Sequence, residues 1–393
     1  MRGTKNILVI AGLAVILLAS CSKPQGQETA FVPVPDMSAP IEVATTLAPA
    51  TKGLDPVDDA IEGILDQHFG VFSWWNPKEF IFEALTNPAN IYQDNNDVQF
   101  EADLGGGVRK WRFDPYAYWP MMCNLSFFAY APYIEHTQPW DEGGEIRQPN
   151  LLFPSADYIQ GMPRVTFSPD TSVTHQVDFC IAEPVFDRLP ADGLIHFEFQ
   201  HATTRIRIYV KVKGNKLPGH EYRIDDLIIS GIAGTNTFTY DDNEEDDVAF
   251  IWDEVDGTTP LDGEYHLTVS KLELKSVWVN FVTDPSDHSL STYTWVNGLD
   301  GGRLYLLPQQ LTSSAKLELA MGMYRDNGGG VYTRTSILPP IEVSIPTAQA
   351  WHPGQSVAYL VTLDITNYIV LDITPLITPW VDADNTHPTQ RIY

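Results

Sequence analysis

Alternating apolar and polar residues run through most of the chain and predict short β-strands. The clearest examples are VQFEADL at 98–104, AKLELAMGMY at 315–324 and SVAYLVTLDI at 356–365, in which every second side chain is apolar. Successive side chains of a strand point to opposite faces, so each segment can bury one face. The sequence contains no long amphipathic helical pattern, and turn-forming residues separate the strands. These features predict an all-β chain built from β-sandwiches.

One long segment, residues 194–213, changes phase in its middle. Its apolar residues lie on odd positions in the first part and on even positions in the second: Ile195, Phe197 and Phe199, then Ile206, Ile208, Val210 and Val212. A single regular strand cannot bury both sets on the same face. We therefore predict a β-bulge or a break at residues 201–204.

The predicted division into domains is based on a run of acidic residues, DDNEEDD at 241–247. A block of like charge is typical of an exposed loop or linker, and this one separates two strand-rich halves. We place the boundary near Gly234. The expected domains are an N-terminal β-sandwich over 54–234 and a C-terminal β-sandwich over 235–393.

Residues 21–53 are rich in Pro, Thr and Ala and are predicted to be a tether that includes a first strand. The segments FVPVP at 31–35 and IEV at 41–43 have strand-like composition. Because proline lacks a backbone N–H, it is confined to the edges of sheets, so both segments are expected to be edge strands.

An apolar run from Ile7 to Ala19 precedes Cys21, and Arg2 and Lys5 provide a cationic start. The run is shorter than the roughly 20 residues that a membrane-spanning helix needs, and it is typical of a secretory signal. The sequence Leu-Ala-Ser before Cys21 matches a lipoprotein signal, in which the cysteine becomes the acylated first residue. We expect residues 1–20 to be the signal peptide and Cys21 to carry lipid such as palmitate. An ordinary signal peptide with a chance cysteine is the alternative.

Charge and composition exclude several kinds of partner. The formal net charge is −27, and removal of Arg2 and Lys5 with the signal leaves 22 basic against 51 acidic residues. Such a surface repels nucleic acid and anionic lipid. A content of 44% hydrophobic and 11% aromatic residues is typical of a folded protein rather than a disordered one.

Two cysteines remain when Cys21 is lipidated, namely Cys123 and Cys180, and both lie in predicted strands. Export would permit a disulfide between them. Buried cysteines in strands also occur as small apolar side chains, so both alternatives stay open.

The sequence offers little support for a metal site or for catalysis. Its ten histidines form no His-Glu-x-x-His motif, and no Cys-x-x-Cys pair is present. The segment Gly354-Gln355-Ser356-Val357-Ala358 lacks the closing glycine of a serine nucleophile elbow. No phosphate loop or dinucleotide fingerprint is found. We expect no metal, no cofactor and no enzyme activity.

Clustered aromatic residues raise the question of sugar binding. Trp74, Trp75 and Trp119 could form a glycan platform, because sugars stack on exposed rings. Core burial is the alternative, since aromatic side chains dominate the cores of folded domains.

Seven segments form an ordered series along the chain. They are Tyr118-Trp119-Pro120, LSFFAYAP at 125–132, VDFCIA at 177–182, FEFQHATTRI at 197–206, YLLPQQL at 305–311, WHPGQSVAY at 351–359 and ITPWV at 377–381. This series resembles the fimbrillin-like (Mfa-like) lipoproteins of Bacteroidales, and the resemblance covers residues 40–382. The resemblance implies two tandem transthyretin-like β-sandwich domains after a lipoprotein signal peptide. It also implies an outer-membrane lipoprotein that serves as a stalk, tip or anchor subunit of a fimbrium.

In that family, an arginine-specific protease removes the lipidated segment and a first strand from stalk subunits. The opened groove then accepts a donor strand from a neighbouring subunit. The present sequence departs from this pattern, because no arginine lies between Arg2 and Arg109. Lys52 is the only well-placed basic substitute for proteolytic maturation. The departure favours an anchor or accessory subunit that keeps the lipid on Cys21.

The sequence therefore predicts an outer-membrane, lipid-anchored fimbrial subunit with structural and adhesive roles. Its expected partners are other fimbrial subunits through donor-strand addition, the outer membrane through lipid on Cys21, and a host glycan or protein. The alternative function is carbohydrate binding for a glycan-uptake system. A secreted hydrolase has less support, because two catalytic carboxylates facing each other across a cleft cannot be located from sequence spacing.

Overall fold

The computed structural model confirms that the chain is all-β. Among the described residues, the helical segments are two single 3-10 turns, Pro190–Asp192 and Leu290–Thr292. None of the helices in this part of the chain is long and apolar enough to span a bilayer. The structure describes residues 35–46, 68–76, 91–105, 108–121, 123–134, 150–152, 164–171, 176–240, 250–268, 277–297 and 304–379.

The strands are numbered in chain order. The first thirteen are β1 Pro35–Pro40, β2 Glu42–Thr46, β3 Phe69–Asn76, β4 Ile91–Gly105, β5 Val108–Asp114, β6 Tyr118–Pro120, β7 Asn124–Ala131, β8 Asn150–Leu152, β9 Arg164–Ser168, β10 Cys180–Ala182, β11 Val185–Arg188, β12 Ile195–Phe197 and β13 Phe199–His201. The others are β14 Thr204–Lys213, β15 His220–Ile232, β16 Asn236–Tyr240, β17 Phe250–Trp252, β18 Gly263–Thr268, β19 Val277–Trp278, β20 Asn280–Phe281, β21 Thr294–Trp295, β22 Leu304–Leu306, β23 Lys316–Asp326, β24 Tyr332–Ile337, β25 Ile341–Ser344, β26 Gln355–Asp364 and β27 Ile369–Pro379.

A nine-stranded sheet forms the first part of the fold, in the order β12-β2-β5-β4-β3-β7-β10-β13, with β11 paired to β7. Only Glu198 separates β12 from β13 in the chain, although these strands lie at opposite ends of the order. The sheet must therefore curl, and its concave face encloses an apolar cluster that we call the first core. Phe69 lies near the middle of this core, with its ring centroid 5.1 Å from that of Trp111 and 6.0 Å from that of Phe197.

The other face of the nine-stranded sheet packs against a four-stranded sheet of order β17-β16-β9-β8. Aromatic residues dominate this second core, as in the stacked pair Phe167 and Phe179 with centroids 4.2 Å apart. Strands β3 and β7 are consequently buried on both faces. This double burial explains why their sequences, FGVFSWWN and NLSFFAYA, lack the apolar–polar alternation of the other strands.

The third core lies between two six-stranded sheets. One sheet has the order β20-β14-β26-β27, with β21 and β22 also paired to β14. The facing sheet has the order β18-β15-β23-β24, with β19 paired to β15 and β25 paired to β23. Strands β14 and β26 run parallel along their length, from Arg205 opposite Ser356 to Lys213 opposite Asp364.

The predicted break at residues 201–204 is confirmed. Strand β13 ends at His201 in the nine-stranded sheet, and β14 begins at Thr204 in the sheet that contains β26. The phase change therefore marks the point where the chain crosses from one set of sheets to the other.

The predicted boundary near Gly234 does not coincide with the division between the sheets. Strands β14 and β15 pair with strands from the last third of the chain, whereas β16 and β17 return to pair with β9 and with each other. Residues 241–247 lie outside the described residues, and the strands on either side of them pair antiparallel.

Candidate functional site

Strand β2 lies between two strands that are distant in sequence. It pairs antiparallel with β5, from Glu42 opposite Arg112 to Thr46 opposite Val108. On its other side it pairs parallel with β12, from Val43 opposite Ile195 to Thr45 opposite Phe197. The expectation of an edge strand at 41–43 is therefore wrong. The prolines end at Pro40, so every residue from 41 to 46 has an N–H that can join a ladder.

The side chains of β2 fill a slot in the first core. Ile41, Val43 and Ala44 are buried, and Val43 has no exposed surface. The Trp111 indole N–H donates to the Thr45 hydroxyl at 2.9 Å, which satisfies a polar group that would otherwise be buried without a partner. These contacts join one short strand to the centre of the sandwich.

Glu42, the exposed first residue of β2, makes a charged contact. Lys110 Nζ lies 2.5 Å from Glu42 Oε1 and 3.3 Å from Glu101 Oε2. The hydrogen bond that Lys110 donates to Glu42 raises the pKa of Lys110. Because the Glu42 carboxylate is exposed and Lys110 is partly exposed, this ion pair contributes little to the stability of the fold.

No tight turn joins β2 to either of its partners, since β5 begins at Val108 and β12 at Ile195. The position of β2 thus depends on ladder bonds and side-chain burial, which a strand from another molecule could also supply. The predicted lipidation site Cys21 and the predicted cleavage site Lys52 both lie outside the described residues.

The three tryptophans of the predicted glycan platform are buried. Trp75 and Trp119 contribute to the first core, and Trp74 contributes to the second, with exposures of 8%, 3% and 2% respectively. Trp74 and Trp75 are adjacent on β3, which is covered on both faces, so each ring enters a different core. No ring face is available to a sugar, and the core alternative is confirmed.

Cys123 and Cys180 are free, buried thiols rather than a disulfide. Cys180 is paired with Ala131 at the far end of β7, whereas Cys123 directly precedes that strand. Eight residues of extended strand span about 26 Å, and a disulfide needs Cα atoms within about 7 Å. Burial raises the pKa of the Cys123 thiol.

A cluster of three potential ligands lies where β10 meets β13, which sequence analysis did not foresee. Asp178 Oδ1 lies 2.9 Å from His201 Nδ1, and Cys180 Sγ lies 3.6 Å from the same nitrogen. All three residues are buried. Asp178 and Cys180 are two residues apart, so a predicted strand through both would place them on one face, but the strand pairing that adds His201 has no signature in the sequence.

Outside the cores, an aromatic cluster surrounds Arg223 on the outer face of β15. The guanidinium carbon of Arg223 lies 3.4 Å from the ring centroid of Trp278 and 4.9 Å from that of Tyr324. Burial lowers the pKa of Arg223. Tyr324 donates a 2.6 Å hydrogen bond to Asp225, which fixes the edge of the cluster. Because the guanidinium already covers one face of Trp278, the cluster is a self-stacked surface rather than an open sugar platform.

Comparison with known proteins gives a consistent result. A family model described as fimbrillin-like matches residues 58–380. No curated protein matches the sequence. Among solved structures, a fimbrial protein from Bacteroides vulgatus is 18% identical, with 80% of this chain and 93% of that chain covered and a TM-score of 0.53.

Two further structures are of proteins assigned to cell adhesion. The protein from Bacteroides uniformis is 14% identical, with 88% of this chain and 100% of that chain covered and a TM-score of 0.41. The protein from Bacteroides ovatus is 15% identical, with coverages of 89% and 99% and a TM-score of 0.41. The family model extends over both sets of sheets, from before β3 to the end of β27. The chain therefore belongs to the fimbrillin-like family.

Proposed function

We propose that this protein is an anchor, accessory or tip subunit of a fimbrium, held in the outer membrane by lipid on Cys21 and joined to neighbouring subunits by donor-strand addition. As a member of the fimbrillin-like family, the chain is a fimbrial or cell-adhesion protein of the cell surface. Proteins of this family have structural and adhesive roles, and the chain is not an enzyme.

The observation that carries the proposal is the slot occupied by β2. A strand that pairs on both sides, buries Val43 completely and is joined to neither partner by a turn can be replaced by an equivalent strand from another subunit. Strand addition of this kind derives affinity from main-chain hydrogen bonds and specificity from alternate side chains. In the isolated subunit β2 fills the slot; in a fimbrium the strand of a neighbour would take its place.

The anchor assignment rests on the sequence before β2. No arginine lies between Arg2 and Arg109, so an arginine-specific protease cannot remove Cys21 and β2 together from the rest of the fold. Displacement of β2, with Cys21 still in the membrane, lets the same subunit accept a strand and stay attached. Cleavage after Lys52 is the alternative route to an open slot.

The domains proposed are two transthyretin-like β-sandwiches whose strands alternate along the chain.

The mature N-terminus, measured by mass spectrometry of protein from isolated outer membranes, tests this anchor role. We expect a peptide that starts at acylated Cys21. A Cys21→Ala variant serves as the control and should leave the membrane fraction. A mature chain that starts at Gly53 or later, without acylated Cys21, would overturn the anchor role and favour a released subunit.

The alternative function, carbohydrate binding for glycan uptake, is not supported by the residues predicted for it, because the side chains of Trp74, Trp75 and Trp119 are buried in the cores. A host glycan or protein remains a proposed adhesion partner of the assembled fimbrium. A glycan array with the purified subunit tests glycan binding, and its result is independent of the measurement of the mature N-terminus.

A further inference from the structure

The buried cluster of Asp178, Cys180 and His201 lies at the point where the chain leaves the nine-stranded sheet. Cys180 and His201 are direct partners in the β10–β13 ladder, and the Ala202 N–H donates to the Phe179 carbonyl at 2.8 Å. Beyond His201, the Thr204 hydroxyl donates to the His352 carbonyl in the other sandwich at 2.8 Å. The backbone thus fixes the cluster in place before any side chain contributes.

The arrangement is not that of a catalytic relay. In a nucleophile–histidine–acid triad, the nucleophile and the acid contact different nitrogens of the imidazole. Here Asp178 Oδ1 and Cys180 Sγ both approach Nδ1 of His201, at 2.9 and 3.6 Å. The three atoms converge on one another, as ligand atoms do around a shared ion.

The dimensions of the cluster match a metal centre. Cys180 Sγ lies 3.9 Å from Asp178 Oδ1, which completes a triangle with sides of 2.9, 3.6 and 3.9 Å. The circle through three such points has a radius of about 2.0 Å, so an ion slightly out of their plane would lie about 2.0–2.3 Å from each atom. Those are the bond lengths of Zn²⁺ to oxygen, nitrogen and sulfur ligands.

From this geometry we infer that Asp178, Cys180 and His201 form a binding site for a zinc-like divalent cation. Thiolate and imidazole ligands select Zn²⁺ and similar ions over Ca²⁺ and Mg²⁺, which need more oxygen ligands. Three protein ligands leave a fourth position for a water molecule. The ion would pin the segment before β10 to the end of β13, and so would hold the crossing between the two sets of sheets.

Titration of the full mature chain with Co²⁺, after treatment with a chelator, tests the site. Bound Co²⁺ reports a thiolate ligand through a sulfur-to-cobalt charge-transfer band, and Zn²⁺ should displace it at one ion per chain. Zn²⁺ at a hundredfold excess over its Kd should raise the unfolding midpoint of the full mature chain by about 3 °C. Cys180→Ser should abolish the band and weaken binding by about 100-fold or more, since even the loss of an outer-shell partner costs 10–100-fold.

The matched control is Cys123→Ser, which alters the other buried free thiol, at the opposite end of β7 from Cys180, and should retain the full band. His201→Asn provides a second ligand variant if Cys180→Ser does not fold. A wild-type chain that binds Co²⁺ without a thiolate band, or binds none, would overturn the site. The same conclusion would follow from a band that persists in Cys180→Ser or disappears in Cys123→Ser.

Discussion

Separating β2 from the rest of the chain should convert a stable monomer into one that needs a strand from another molecule. The perturbation is a specific protease site inserted between residues 47 and 67, so that the full chain folds before it is cut. Burial of the Ile41 and Val43 side chains contributes about 1.5–3 kcal/mol each. Leaving the Trp111 indole N–H buried without the Thr45 hydroxyl would cost about 1–3 kcal/mol more.

The loss is therefore roughly 4–9 kcal/mol, which is comparable with the whole stability of a typical domain, about 5–15 kcal/mol. The cut protein should hold its own β1–β2 segment until an excess of labelled peptide spanning residues 35–46 exchanges with it. Fluorescence anisotropy measures that exchange, and size-exclusion chromatography with light scattering detects oligomers after the segment is removed.

A peptide with Val43→Asp is the matched control and should not exchange, because it would place a charge at a position with no exposed surface. The reasoning would be refuted if the cut protein, freed of residues 35–46, stayed monomeric with an unchanged unfolding midpoint. Equal exchange of the native and Val43→Asp peptides would refute it as well.

Two further predictions concern the buried polar groups. Burial raises the pKa of Tyr359 to about 12, above the value near 10 expected when the chain is unfolded, so the folded state holds the proton more tightly. The contribution of the protonated Tyr359 to the free energy of unfolding is complete below pH 10 and is lost as the pH rises through 12, at about 1.4 kcal/mol per pH unit. Urea unfolding measured from pH 9 to 12 should show this slope, and the slope should be smaller in Tyr359→Phe. Trp111→Phe should lower the free energy of unfolding by about 2–4 kcal/mol, because side-chain volume and the hydrogen bond to Thr45 are lost. A double-mutant cycle with Thr45→Val should show a coupling energy of about 1 kcal/mol, and strictly additive effects would contradict the contact.

Local patterns in the sequence predicted those parts of the fold that depend on neighbouring residues. The phase change between Phe199 and Ile206 located the crossing at 201–204, because alternation within a strand is a local property. Alternation likewise identified β23 and β26. The predominantly apolar strands β3 and β7 did not by themselves indicate burial on both faces, since such a run fits several environments.

The features that depend on strand order could not be predicted from sequence. Nothing local states that β2 lies between β5 and β12, or that β16 returns to β9 across the predicted boundary near Gly234. The candidate site could not be predicted from sequence for the same reason. Asp178 and Cys180 could be placed on one strand face from their spacing, but only the ladder between β10 and β13 brings His201 to them.

The exposure of clustered aromatic residues could not be settled from sequence. Adjacent rings such as Trp74 and Trp75 face opposite sides of a strand, so a glycan platform and core burial both stayed open. In this fold both sides of β3 are covered, so both rings are buried. The partly exposed aromatic cluster instead surrounds Arg223, where residues from three distant strands meet.

The most direct test of the central claim is incorporation into fimbriae when β2 is locked in its slot by a disulfide. Glu42 and Arg112 are opposite each other in the β2–β5 ladder, so Glu42→Cys with Arg112→Cys can form the lock. The matched control, Gln99→Cys with Arg112→Cys, joins β4 to β5 by a disulfide and leaves β2 without a covalent link to the sheet. Donor-strand addition predicts that the oxidised lock abolishes incorporation, that reduction restores it, and that the control pair has no effect. Incorporation of the locked chain at the level of the control would contradict the account.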